Sequence, residues 1–173
     1  MPETRYQQAH QKHAEGILEC LAAAFEPYRA EYTAEAFADT TLNKKSVLER
    51  MDEMVVTVAL HDEKVVGTIA WLALGGDPND PEDYPPGEDD PIMREGHIRG
   101  MAVLPESQGQ GIADTLLKMA EEDLKIDGCT WISLDTTEPL ERAQKFYEKH
   151  GFQPSGQVRD FFGMRLIELA KTL

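Results

Sequence analysis

Cysteine is scarce in this sequence of 173 residues: Cys20 and Cys129 are the two present. Neither belongs to a CxxC pair or a Cys/His cluster, which excludes a zinc knot, a thioredoxin-like redox pair and a disulfide framework. Both read as small buried apolar residues, and no metal site is expected. Positive charge is scarce too. Seventeen Lys and Arg stand against 32 Asp and Glu, a net charge of −15, so the basic patch behind nonspecific nucleic-acid binding is missing and no nucleic-acid partner is expected. A cationic partner would be favoured, although a solvated acidic surface has the same composition. No apolar run approaches the roughly 20 residues that span a membrane. The segment Met1-Pro2-Glu3-Thr4-Arg5 lacks a secretory leader's basic and apolar regions, so a cytoplasmic location and no membrane partner are expected.

What is present is ordinary for a globular protein: 41% hydrophobic and 28% charged residues in a length that suits a single domain over 1–173. The chain is organised around residues 97–125. A β-type run, His97 to Val103, meets a turn at Leu104-Pro105-Glu106-Ser107 and then Gln108-Gly109-Gln110-Gly111-Ile112-Ala113. An amphipathic helix follows, because Ile112, Leu116, Leu117, Ala120 and Leu124 recur at three- and four-residue spacing with charged residues between them. Asp127-Gly128 should end it.

A glycine-rich turn at a helix N-terminus aims unpaired N–H groups and the positive end of the helix dipole at one point, which suits a phosphate. An ordinary turn between a strand and its crossover helix has the same composition, and the glycines alone do not separate the two. The dinucleotide fingerprint G-x-G-x-x-G and the Walker G-K-[ST] are both missing. These residues resemble the GNAT family of N-acetyltransferases, whose signature [QR]-x-x-G-x-[GA] is filled by Gln108, Gly111 and Ala113 behind Val103-Leu104-Pro105. A second signature, A-x-x-x-Y-x-x-x-G-F, is matched from Ala143 through Tyr147 to Gly151-Phe152. One position departs: Leu140 stands where relatives often carry an Asn that contacts CoA.

The resemblance implies a mixed α/β fold, with a central, mostly antiparallel sheet splayed at the CoA site and helices on both faces. It also implies acetyl-CoA as co-substrate. The pyrophosphate would sit on the backbone at Gln108, Gly109, Gln110, Gly111, Ile112 and Ala113, and the pantetheine arm would pair with Met101, Ala102 and Val103. The Met101 N–H would hold the oxyanion. Tyr147 occupies the position of the acid that protonates the departing thiolate, and it would also border the cofactor. A tyrosine packing beside Phe146 is the plainer reading of that residue.

In chain order, a short strand is expected over Thr4 to Ala9 and a helix over Ala14 to Phe25, ended by Pro27. Thr33 is expected to cap a second helix through Phe37, and Ser46 a third containing Val47, Leu48 and Met51. The resemblance places this helical region on the acceptor side of the cleft, which makes Tyr28, Tyr32, Glu35 and Phe37 candidates to line it; packing residues are the plainer reading. Met54 to Leu60 and Val65 to Leu74 read as a hairpin, with Gly67 marking a bulge or a close approach. Residues 75–94 form an acidic, proline-rich loop, either a filter for a cationic acceptor or a solvated connection. Later come a strand at Thr130 to Leu134, a helix opened by Pro139, a weak strand near Phe152 to Val158 and a final strand at Phe161 to Leu169.

Acetylating an amine requires that its proton be removed first, since an alkylamine has a pKa of about 10.4. The resemblance makes His97 the candidate base, at the position where histone acetyltransferases carry a catalytic Glu and serotonin acetyltransferases a His. Strand alternation puts His97, Arg99, Met101 and Val103 on one face, towards the pocket that Met101 borders. Glu95 is the next candidate, and deprotonation through water is the third. The expected function is direct transfer of acetyl from acetyl-CoA to a primary amine of a small cationic molecule. Acylation of a protein N-terminus or lysine, or a non-catalytic acyl-CoA-binding regulator, are the alternatives. A small-molecule or peptide amine is thus the expected partner, and a homodimer is compatible with the family.

Overall fold

The computed structural model describes residues 2–76, 80–83 and 93–173. Most of the acidic stretch expected at 75–94 therefore lies outside the described residues, including Asp77, Glu88, Asp89 and Asp90. Seven strands form one sheet: β1 (Thr4–Gln8), β2 (Val55–His61), β3 (Lys64–Leu74), β4 (Glu95–Val103), β5 (Trp131–Thr137), β6 (Gln153–Phe161) and β7 (Met164–Thr172), in the order β1-β2-β3-β4-β5-β7-β6. The β4–β5 pair is parallel and the other neighbours are antiparallel. Among the described residues five α-helices accompany it: α1 (Ala14–Phe25), α2 (Ala34–Thr41), α3 (Lys44–Glu53), α4 (Ile112–Ile126) and α5 (Glu141–Lys149). Among the described residues no helix is long and apolar enough to cross a membrane.

Helix α4 buries the five apolar residues that its periodicity picks out, each at most 2% exposed. At about 1.5–3 kcal/mol per fully buried large aliphatic side chain, that stripe is a main attachment of the helix to the sheet. Two glycines let it lie close. A side-chain carbon on Gly67 would stand 2.9 Å from Ile112 Cγ2, and one on Gly96 2.7 Å from Leu124 Cδ1. The close approach expected at Gly67 is thus present. A register shift beside it pairs Ala59 with Gly67 and Leu60 with Val65. Val65 consequently turns to the opposite face, where a side chain on Gly16 of α1 would meet it at 2.7 Å. Helices cover both faces of the sheet.

Two irregularities open the sheet at its centre. Pairing between β4 and β5 ends at Ile98 with Leu134, although β4 continues to Val103 and β5 to Thr137. The strands therefore splay, and among the described residues the edge of β4 beyond Ile98 has no strand partner on the β5 side. On the β3 side, Ala70 pairs with Arg99 and Thr68 with Ala102, so Gly100 and Met101 together oppose Ile69. This is a bulge, and Gly100 holds it with φ of +58°. It overturns the expected alternation. His97 and Arg99 pair with Leu72 and Ala70 on one face, whereas Val103 pairs with Gly67 on the face that meets α4.

Several expected boundaries also move. Helix α3 is capped by Asn43: its Oδ1 accepts from the Ser46 N–H at 2.9 Å, and Ser46 Oγ accepts from the Asn43 N–H at 2.9 Å. Ser46 is thus the third helical residue of a reciprocal capping box, not the cap. Thr33 does cap α2, which runs on to Thr41, past Phe37. Pro27 does not stop the chain's helical path, because residues 26–31 continue as a 3-10 turn in which a proline near the start loses no hydrogen bond. Pro139 precedes Leu140, and α5 begins at Glu141. Phe162 and Gly163, expected within the last strand, are the β6–β7 turn, with φ of +51° and +87°. Positive φ at both positions is what a two-residue type I′ hairpin requires.

Candidate functional site

Two cavities of similar size meet at the splay. The first, of about 370 Å3, runs along the end of β4 and the start of α4. Of the residues expected to bind the cofactor, Met101, Ala102, Val103, Gln108, Gly109, Gly111, Ile112, Ala113 and Tyr147 line it, and Gln110 does not. Gly109 and Gly111 both adopt φ of +79°, and no atom lies within 4 Å of where a side-chain carbon on either would be. The left-handed turns, and not crowding, require glycine here. Gln108 folds back, donating from Nε2 to the Val103 carbonyl at 3.2 Å. The first bond of α4 runs from the Thr115 N–H to the Gly111 carbonyl. Among the described residues the N–H groups of residues 109–114 have no backbone partner and are available to a ligand. A backbone cradle with an unpaired strand edge beside it fits a pyrophosphate followed by an extended, amide-containing arm.

The second cavity, of about 380 Å3, lies on the other side of Met101 and Tyr147. Its walls come from distant segments. Tyr32 donates or accepts a 2.6 Å bond with Thr137 Oγ1, and Thr33 Oγ1 donates to the Phe162 carbonyl at 2.8 Å. These two contacts tie the 3-10 turn and α2 to β5 and to the β6–β7 turn. Three guanidiniums border this cavity, those of Arg50, Arg99 and Arg159, with Asp39, Asp135 and Asp160. Arg159 is neutralised by Asp135 at 2.7 Å. The Arg50 pKa is pulled below its ordinary value, first by burial and then by the positive charge of Arg99, with Asp39 opposing.

Phe25, Met101, Leu140, Ala143 and Tyr147 border both cavities. Tyr147 is 8% exposed. Burial pushes its phenol above the ordinary value of 10, so it stays protonated at neutral pH and can donate but not act as a base. Phe146 and Phe152 pack edge-on against its ring and fix its direction. His150, three residues on, bonds Asp114 at 2.8 Å and ties α5 to α4.

His97 lies elsewhere than the alternation suggested. It borders a third cavity together with Glu95, Ser133 and Glu168, and this shares Arg99, Asp135 and Arg159 with the second. Its Nδ1 bonds Ser133 Oγ at 2.8 Å, and that hydroxyl also makes a short bond to Glu95. Asp135 stands 3.9 Å from Nε2. Burial, then Arg99, lowers the His97 pKa below 6.5, against Asp135 and Glu95.

Of the other acceptor-side candidates, Tyr32 borders the second cavity and Tyr28 the first. Phe37 packs against Tyr32 beneath Arg29, and Glu35 is exposed on α2 and borders neither cavity. Sequence reasoning missed Arg50, Phe25 and the threonines of β5. None carries a motif, and only the fold brings them together.

The acetyltransferase (GNAT) family model matches residues 15–152. The S-(2-succino)cysteine N-acetyltransferase of Bacillus subtilis is 29% identical over 157 residues, covering 88% of this chain and 86% of that protein. Human N-acetyltransferase 8B is 31% identical over 114 residues, 65% of this chain but 44% of that protein. Among solved structures, the PaiA N-acetyltransferase from Thermoplasma acidophilum in complex with coenzyme A superposes with a TM-score of 0.71, at 17% identity and 99% coverage of both chains.

Proposed function

The chain belongs to the GNAT acetyltransferase family, and from that premise we propose that it moves the acetyl group of acetyl-CoA directly onto a primary amine of a small molecule. The observation that carries this reading is the meeting of two cavities at Met101 and Tyr147. One takes the thioester and the other the amine. Residues 109–113 offer backbone N–H groups to the pyrophosphate, and the edge of β4 at Met101 to Val103, which β5 leaves uncovered, offers strand-like pairing to the pantetheine arm. The cofactor contact that relatives make through Asn is lost at Leu140, whose apolar side chain borders both cavities instead.

In the reaction the neutral amine attacks the thioester carbonyl, a C–N bond forms and the C–S bond breaks. The Met101 N–H, turned by the bulge, holds the developing oxyanion. The phenol of Tyr147 gives a proton to the departing sulfur and is reprotonated from solvent. The amine's surplus proton leaves by water through the wall at Asp135 towards His97, which borders the adjoining cavity. Glu95 stands behind it through Ser133.

The resemblance to an S-(2-succino)cysteine N-acetyltransferase supports a small amino-acid-like acceptor over a protein. The test is acetyl-CoA-dependent thiol release across polyamines, amino acids, aryl amines and peptides with free N-termini or lysines. Turnover confined to small amines is the expected result. Turnover with peptides alone would move the reading to a protein acceptor, and tight acetyl-CoA binding without turnover would make the chain a regulator.

A further inference from the structure

Arg50 and Arg99 come from different elements, α3 and β4, and converge on the acceptor cavity. Nη1 of Arg50 occupies the space above the β4 bulge, 2.5 Å from where a side-chain carbon on Gly100 would lie. Gly100 is thus glycine for two reasons, its positive φ and the guanidinium seated on it. That places Arg50 one residue along the strand from Met101, beside the point where the amine must stand.

Among the described residues, neither guanidinium hydrogen-bonds or ion-pairs with another side chain. Asp39 acts on Arg50 electrostatically without forming an ion pair. Arg159, the third cation of the cavity, is already held by Asp135 at 2.7 Å, and Asp160 accepts from the Gly163 N–H. Like charges brought together without a partner repel, and a bound anion removes that repulsion. A second observation is independent of charge. Thr136, on β5, borders the same cavity, is 3% exposed, and its Oγ1 has no hydrogen-bond partner among the described residues. A buried hydroxyl left unsatisfied is an exception that an ordered water or a polar group of a ligand seated at this wall would resolve.

Resting on the acetyltransferase reading above, we propose that the acceptor is an amine with a free carboxylate close to it, of the α-amino-acid type, and that Arg50 and Arg99 bind that carboxylate. Guanidiniums meet carboxylates through paired, charge-assisted hydrogen bonds. Arg50 sits over Gly100, the neighbour of Met101 on β4, so a carboxylate held there brings the adjoining amine towards Met101. A peptide N-terminus has an amide at that position and cannot satisfy the two cations. The acidic composition favoured a cationic acceptor, but the described wall of the cavity presents two guanidiniums that form no ion pair among the described residues.

The test compares kcat/KM for each of the twenty amino acids with that for its own α-carboxamide, using the full chain and saturating acetyl-CoA. At least one acid is expected to exceed its carboxamide by tenfold or more. In Arg50→Gln and in Arg99→Gln that preference should shrink towards unity through a rise in KM for the acid, while coenzyme A binding persists. Arg50→Lys, which retains the charge without the fork, should recover part of it, and thermal unfolding of each variant separates loss of recognition from loss of fold. Carboxamides or simple amines turned over as well as the acids would overturn the carboxylate assignment and leave the acetyltransferase reading intact. An acid preference unchanged in both Gln variants would also overturn it. No thiol release with any amine or peptide would overturn both.

Discussion

The two cavities that meet at Tyr147 are built from different materials. The one proposed for CoA draws most of its lining from a single stretch between Met101 and Asp114, with two left-handed glycines and a strand edge that β5 leaves uncovered. The cavity proposed for the acceptor is lined by residues such as Tyr32, Arg50, Arg99, Thr136 and Phe161, drawn from segments far apart in the chain and held by contacts such as Thr33 to Phe162. A backbone site fixes a ligand group shared by every reaction of this kind, and it depends on conformation more than on residue identity. A side-chain site can change its ligand by changing a few residues while the sheet behind it stays the same.

The sharpest way to break this comparison is at the junction. Tyr147→Phe should lower kcat by about 10²–10⁴-fold, the range for loss of a positioned acid, with acetyl-CoA affinity little changed in a binding titration. Because burial raises the Tyr147 pKa above 10, its ionisation should not limit the wild-type rate below that pH. A fall in rate between pH 8 and 10 that disappears in Tyr147→Phe would contradict this.

A smaller effect is expected on the backbone side. Gly111→Ala forces a left-handed residue at φ of +79°, a strain of about 1–2 kcal/mol. Relief by shifting the N–H groups should weaken CoA binding by about 5–30-fold. Calorimetric titration would measure it, and an unchanged affinity would mean that the turn is not the phosphate site. Removing a side chain from the scaffold of the other cavity should matter less. Asn43→Ala loses the capping box of α3, the helix that carries Arg50, at about 1 kcal/mol in urea unfolding.

The smallest signal concerns pH. His97 has its pKa lowered from 6.5 by burial, so the unfolded chain binds more protons than the native one between the lowered value and 6.5. Stability is then complete above about pH 6.5 and falls as the pH drops below it. His13, also lowered by burial, contributes in the same direction. His97→Gln should flatten part of that slope in unfolding measured from pH 5 to 8. The same variant should change the pH–rate profile if His97 receives the amine's proton.

The difference in materials also explains what could be read in advance. The stripe on α4 was legible because burial follows the helical period, and the glycine turn because its residues are consecutive. The β4 bulge was not, since Gly100 in a strand does not announce which neighbour shifts, and that one shift sends Val103 to the opposite face from His97. The α3 cap was misplaced because Asn43 and Ser46 are both good caps and each bonds the other's N–H. Phe161-Phe162 reads as strand, and the turn at Phe162-Gly163 hides inside it. Nothing local links Arg50 to Arg99 or Thr136, which only the sheet and α3 bring to one cavity.

The decisive measurement is a crystal structure of the chain with coenzyme A. The pyrophosphate should accept hydrogen bonds from the N–H groups of residues 109–113, and the sulfur should lie between Met101 and the Tyr147 hydroxyl. A pyrophosphate bound away from that turn, or a sulfur out of reach of Tyr147, would contradict the assignment of the two cavities.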